Sequence, residues 1–432
     1  MPIPPIVSLK QTAPQPAVAD VPAEVRRQWR ESTLPKRLKP GARIAVGVGS
    51  RGIAGFQVIA RASLETLKEM GYRPFLVAAM GSHGGATADG QRQLLGEYGI
   101  SEKQLGVELR TDMTAVQVGV NSWGEPVWWD KNALSADGVV TISRVKPHTD
   151  FRGDFESGIV KMAVIGLGKR DGASQHHRWG IRGLRDMMPE SFKVIRDKTP
   201  FAGGLAVLEN ADEQIAELRF VDRDDVLSVE PGLLKKARAL MGRLPFDQID
   251  LLVIGEIGKN YSGAGIDPNV VGRLLVETAQ EPESPKITRI CALDLSSESH
   301  GNATGCGIAD LCTRRLLDGI DQAPFRMNNL TARFLRRSQL PFDFPTDRQC
   351  IEAGVDSCWQ PNFDKIRLVI IPNTLEMSEL WVSPALATEA RAKPHLQLSG
   401  QPRELPFDGA GMLEQEQLFP HSVRARRSST SG

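Results

Sequence analysis

The sequence predicts an α/β protein of two domains, with mainly parallel sheets and an active cleft between them. Three observations carry this expectation. Apolar runs of strand length alternate with stretches of helical periodicity. The apolar runs tend to end in polar, glycine-rich loops, as βα units do. At 432 residues the chain is also longer than a single typical core supports.

The elements follow in order. Residues 42–52, ARIAVGVGSRG, read as a buried strand ending in a glycine-flanked loop. Residues 56–71, FQVIARASLETLKEMG, carry apolar residues at helical spacing, with Gly71 as the stop signal. RPFLVAAMGSHGGAT (73–87) repeats strand then glycine loop, and ADGQRQLLGEYGI is the next helix. VQVGVNSWGEPVWWD (116–130) breaks the rhythm; Gly124 between two alternating runs predicts a β-hairpin. DGVVTISRVKPH (137–148) returns to a buried strand feeding a loop, and FAGGLAVLEN and IAELRFV read as two more strands. DQIDLLVIGEIG, KITRICALDLSSES (286–299) and IRLVIIPNT (366–374) open a second series, after a linking helix at 232–243. The predicted boundaries are 1–245, 246–400, and an extension 401–432 whose basic tail, SVRARRSSTSG, is expected to be disordered. In such sheets ligands bind beyond the carboxyl ends of the strands, where these polar loops fall.

Composition narrows the function classes. Lys plus Arg is 53 and Asp plus Glu is 52, so no global basic field recruits nucleic acid. No run approaches the roughly 20 apolar residues of a membrane helix, so no membrane partner is expected. The N-terminus lacks the pattern of a signal peptide. The five cysteines form no CxxC pair and read as free thiols, and the expected location is cytoplasmic.

Chemistry concentrates in residues 145–180, VKPHTDFRGDFESGIVKMAVIGLGKRDGASQHHRWG, which hold three of the seven histidines. His148 follows Arg144, Lys146 and Pro147; cations beside an imidazole suit an anionic substrate, or else form a solvated basic loop. Lys161 sits in an apolar run, where an ammonium must be paired, for instance with Glu156, or used as a nucleophile. Lys169 lies in a more polar setting and is the weaker candidate. His176 and His177 are neighbours; on a helix they point about 100° apart, so one is a ligand or base and the other faces away. No HExxH, cysteine cluster or His/carboxylate triad builds a metal site, so a metal would draw most of its ligands from elsewhere. Upstream, His83 in MGSHGGAT stands at a strand end before two glycines, as a general base or as a loop histidine.

The order of these motifs resembles the nickel-dependent lactate racemase family, two-domain α/β enzymes acting on 2-hydroxy acids. The resemblance is carried by His83 in GSHGG, His148 in KPH, Lys161 in ESGIVK, and His177 sixteen residues later. It implies a nickel-pincer nucleotide (nickel pyridinium-3,5-bisthiocarboxylic acid mononucleotide) held covalently on Lys161, with His177 as nickel ligand. It implies His83 and His148 as the two bases, and it makes 1–245 the cofactor-binding domain. The glycines of 145–180 would then let the cofactor lie against the backbone. The family's stretch before its lysine is shorter than His148–Lys161. Its phosphate loop has an aspartate and a threonine–arginine–proline, where VGSRG offers Ser50 and Arg51. These departures imply a divergent branch, most specific over 43–180. The implied partners are a small 2-hydroxy acid and the cofactor-synthesis enzymes; the oligomeric state stays open.

In the second half, EIGKNYSGAGIDPN holds Lys259, Asp267 and Asn269, and SSESHGNATGCGIAD holds Glu298, His300, Asn302 and Thr304. Lys259 is a candidate for steadying developing charge. With Arg144 and Lys146, the residues His300 and Asn302 are candidate substrate contacts, and so many polar groups suit a sugar acid (an aldonate). The bland alternative makes them helix caps. Two other functions compete: a nickel-independent sugar-acid isomerase or dehydratase using Lys161, and a non-catalytic metabolite-binding protein. Trp128, Trp129 and Trp381 read as packing.

Overall fold

The first strand, β1 (Ile6–Gln11), follows Pro2, Pro4 and Pro5 and is buried over Ile6–Leu9. It is one element of a computed structural model that describes residues 2–430 apart from Ser50, Arg51 and Thr278. The chain divides into two compact units, residues 15–241 and residues 1–14 with 242–432.

Residues 15–241 contain β2 (Arg43–Val48), β3 (Arg73–Ala78), β4 (Leu109–Arg110), β5 (Ala115–Val120), β6 (Pro126–Asp130), β7 (Gly138–Arg144), β8 (Phe201–Glu209) and β9 (Ile215–Asp222). Six of them form a sheet ordered β4-β3-β2-β7-β8-β9, parallel except for the final antiparallel pair. Burial on both faces explains the unbroken apolar runs of β2 and β7. Ile44, Val46, Leu76, Val140, Ile142 and Leu205 lie in one core with the apolar face of the helix Phe56–Glu69. That helix ends before Gly71, which adopts φ +86. The predicted hairpin is β5–β6, a separate two-stranded ribbon. The strand order reverses between β2 and β7, which is where an open α/β sheet leaves a crevice at its carboxyl edge.

The other unit adds β10 (Gln248–Ile254), β11 (Lys286–Ala292), β12 (Leu311–Thr313), β13 (Phe342–Phe344), β14 (Leu368–Ile371), β15 (Glu379–Val382) and β16 (Leu396–Arg403). With β1 they form an eight-stranded sheet, β13-β12-β11-β10-β14-β15-β1-β16. The five strands from β13 to β14 are parallel and the rest antiparallel.

Two organisational expectations differ from this arrangement. The sequence assigns residues 1–14 to the N-terminal domain, yet β1 pairs with β15 and β16. Its apolar Leu9 needs the core that those strands share with β10 and β14. The tail expected to be disordered contains a helix, Val423–Thr430. Its arginines are anchored by acids at the ends of β10 and β11: Arg424 pairs with Asp294 at 2.7 Å, and Arg427 pairs with Glu256. Opposite charge held close to a sheet edge orders a segment whose composition alone reads as solvated.

Candidate active site

His83 and His148 both lie beyond carboxyl ends of the parallel sheet, after β3 and β7, the two strands that flank β2. His83 is exposed, in a tight turn before Gly84 and Gly85, both at positive φ. His148 is buried. The loop that carries it is closed by an antiparallel bridge between Lys146 and Ser157. Ser50 and Arg51, in the loop after β2, fall outside the described residues.

The central contact joins His148 and Lys161: Nε2 of the ring lies 2.6 Å from Nζ. The ring's Nδ1 accepts the Asp150 backbone N–H at 3.1 Å, and its face lies 4.6 Å from that of Phe151. Lys161 ends a single helical turn, Ile159–Lys161, that runs on into a π-turn, Met162–Gly166. Such widened turns recur at functional sites because one extra residue redirects the side chains around it.

Glu156 does not hold Lys161. It is buried, accepts the His148 N–H at 2.6 Å and the Gly153 N–H at 3.0 Å, and pairs with Arg238 at 2.7 Å. Burial pushes its carboxyl above the ordinary range, against the pull of these donors.

The polar setting of Lys169 is an internal one, not solvent. Lys169 is fully buried, with Nζ 2.7 Å from both Asp130 Oδ2 and the Ala78 carbonyl. The contact with Asp130 is an ion pair by distance. Lys169 opens the helix Lys169–Arg178, on which His176 and His177 lie. His176 turns into the core, its ring nitrogens meeting the Gly172 carbonyl at 2.8 Å and Ser191 Oγ at 3.1 Å. Burial lowers its pKa to about 4, so it is a neutral packing residue. His177, about 100° around the helix, is half-buried.

Several glycines of this segment, though not Gly180, receive protein rather than leaving room beside the backbone. A Cβ at Gly158 would sit 2.4 Å from Glu230 Oε1, and one at Gly166 would sit 2.7 Å from the Ala79 carbonyl. Trp129, read from sequence as hairpin packing, donates its indole N–H to the Ala163 carbonyl at 2.9 Å and so supports the π-turn after Lys161.

Arg144 is engaged by Glu209 at 2.9 Å and by the Gly52 carbonyl at 2.8 Å, so it braces the loop after β2. In the other unit, Lys259 folds back to the Gly263 carbonyl at 2.7 Å. Asn302 accepts from the Thr304 hydroxyl at 2.7 Å, and Asp267 caps the turn Pro268–Val271. His300 is exposed at φ +45. Glu298 pairs with Arg427, and Trp381 donates to the Leu418 carbonyl. All five cysteines are free and buried.

Glu230 was not singled out from sequence. It lies on the helix Val226–Leu240, just before Pro231, and is 1% exposed. Its Oε2 accepts the Val160 N–H at 3.0 Å, while Oε1 is buried without a hydrogen-bond partner. Burial raises its pKa from 4.5 to about 7, against the pull of the Val160 and Ile159 N–H groups. The only hint in the sequence is an acid inside an apolar helical stretch, VLSVEPGLL.

A carboxyl whose folded pKa is raised stabilises the fold fully below its unfolded value. That contribution is lost as pH rises through the folded value. Here the window runs from pH 4.5 to about 7, and a change of that size corresponds to about 3 kcal/mol. Glu230→Gln should therefore be the more stable protein at pH 8, with the gap closing below pH 4.5. Denaturant titrations of both proteins across this range would show it, and parallel pH curves would refute the burial argument.

The residues suit a lysine-anchored, metal-bearing cofactor. Lys161 offers an amine beside an imidazole, and its neighbouring acid Glu156 is held by Arg238. Among the described residues no three His, Cys, Asp or Glu side chains gather to hold a metal, so one bound near His177 would need ligands from the cofactor itself.

Residues 8–186 match the family model described as the lactate racemase N-terminal domain. No curated protein matches the sequence. Among solved structures, the lactate racemase apoprotein from Thermoanaerobacterium thermosaccharolyticum is similar, with a TM-score of 0.51 and 10% identity over 83% of this chain and 92% of that one. At that identity the likeness is one of fold. The matched stretch, residues 8–186, takes in His83, His148, Lys161 and His177, and over it the chain is similar to the lactate racemase N-terminal domain.

Proposed function

We propose that this protein is a racemase or epimerase that inverts C2 of a 2-hydroxy acid by reversible hydride transfer, with a nickel-pincer nucleotide attached to Lys161. The observation that carries the reading is the 2.6 Å contact between His148 and Lys161, within the residues 8–186 that match the lactate racemase N-terminal domain. When bound, the cofactor supplies the hydride acceptor and donor. Inversion needs a base on each side of the stereocentre. His83 and His148, after strands on either side of β2, are assigned to take and return the hydroxyl proton. Lys161 is assigned as the attachment point and His177 as the nickel ligand. Ser50 and Arg51 are assigned to the cofactor phosphate, Lys146 to the substrate anion and Lys259 to developing charge. Within the 2-hydroxy acids we favour an aldonate. The support is the polar character of the loops after β10 and β11, including exposed His300, although Asn302 and Asp267 are largely engaged within their own loops.

The test is intact-mass spectrometry and nickel analysis on protein co-expressed with cofactor-making enzymes. The expected result is an adduct mapped to Lys161 with about one nickel per chain, followed by C2 inversion of aldonates ahead of lactate or malate. An unmodified Lys161, beside a control racemase that loads normally, would overturn the reading in favour of a nickel-free isomerase. Inversion of lactate but not of aldonates would overturn only the substrate.

A further inference from the structure

The contact between His148 and Lys161 is made by residues thirteen positions apart, on a loop and on a single turn of helix. Neither segment is long enough to hold its own geometry. Both are fastened to one element, the helix Val226–Leu240.

At one point on that helix Glu230 accepts the Val160 N–H at 3.0 Å, gripping the start of the turn that ends in Lys161. Two turns further on, Arg238 pairs with Glu156 at 2.7 Å, and Glu156 accepts the His148 N–H at 2.6 Å. The two carboxylates are each 1% exposed. Hydrogen bonds accepted by buried carboxylates are strong and directional, so they define position rather than merely add adhesion, and only the Arg238 end of the second grip reaches solvent, its side chain 43% exposed. The rise of an α-helix sets the two grips about 12 Å apart along its axis. Gly158 completes the fit, because any side chain there would displace Glu230.

We infer that Glu230, Arg238 and Glu156 are positioning residues: one helix acts as a template that sets the spacing of His148 and Lys161 before any ligand binds. Its significance for catalysis rests on the reading above, but the clamp itself concerns the protein without cofactor. A site whose spacing is set before binding has less to reorganise when the reaction begins.

The experiment is NMR of the histidine ring nitrogens in unloaded protein labelled with [15N]histidine. His148→Gln identifies the His148 signals, and Lys161→Met shows where they move when the contact is lost. Glu230→Ala and Arg238→Met should each move the His148 signals toward their positions in Lys161→Met. Glu230→Gln, which keeps the acceptor, and Arg238→Lys, which keeps the charge, should leave them near the wild-type positions. Should an alanine or methionine variant not fold, Glu156→Leu, which removes the acceptor of the His148 N–H, puts the same question to the His148 arm and should move the signals as well. Wild-type signals in folded Glu230→Ala and Arg238→Met would overturn the clamp. The mass experiment is read separately. Moved signals with no adduct on wild-type Lys161 would sink the racemase reading and keep the clamp. An adduct with unmoved signals would do the reverse.

Discussion

Replacing Lys161 with alanine should abolish the covalent adduct and leave the purified protein with little nickel. Turnover of any hydroxy acid should fall by roughly three orders of magnitude or more, as expected when a covalent centre is deleted. Lys161 is half-buried and ends a single helical turn, so the fold should survive its removal. His148→Gln makes the informative partner. It should still take the adduct, while losing about 10²–10⁴ in turnover as a missing general base does. The two variants together separate attachment from proton transfer. The racemase assignment fails if Lys161→Ala retains full activity, and the role of His148 as a base fails if His148→Gln does.

The largest expected loss of stability is at Lys169→Met. Lys169 and Asp130 are both fully buried, and the methionine would leave the Asp130 carboxylate without its counter-charge. Removing one member of a buried pair costs about 3–5 kcal/mol, mostly through the stranded charge. Asp130→Asn in the same protein should recover part of that loss, because the two changes share one interaction. Denaturant midpoints of Lys169→Met, Asp130→Asn and the double variant would measure it. A Lys169→Met protein within about 1 kcal/mol of wild type would contradict the reading of the pair as structural. The pair also joins the helix bearing His177 to the end of β6 and, through the Ala78 carbonyl, to the end of β3. Loosening it should therefore weaken nickel retention as well.

Some of this was legible in the sequence for clear physical reasons. Strands such as β7 and β10 are buried on both faces, so their apolar runs are long and unmistakable. The hairpin declared itself through Gly124, which takes φ +78. β1 was hidden because three prolines precede it and its partners lie more than 360 residues away. No local pattern reveals a pairing of that range. The tail helix was hidden because its order comes from Glu256 and Asp294, not from its own composition. At the site, His148 and Lys161 stood out because rare titratable groups in an apolar, glycine-rich segment need a reason. Glu230 and Arg238 did not, since their partners lie some seventy to eighty residues upstream. The burial of Lys169 was not visible because its counter-ion, Asp130, is thirty-nine residues away. Glycine was misjudged too, since a missing Cβ can admit a neighbouring carboxylate as easily as a ligand.

The placement of β1 has a consequence for how the molecule is made. β1 leaves the ribosome long before β15 and β16, the two strands between which it lies. Residues 15–241 can complete their own sheet early, but the eight-stranded sheet stays open until translation has passed residue 403. Until then β1 is an apolar strand without its neighbours, the kind of segment that pairs with the wrong chain. A fragment starting at residue 242 inherits the complementary fault, an empty slot in its sheet. Supplying residues 1–14 as a separate peptide should fill that slot, which makes the amino-terminal strand a natural handle for splitting and reassembling this protein.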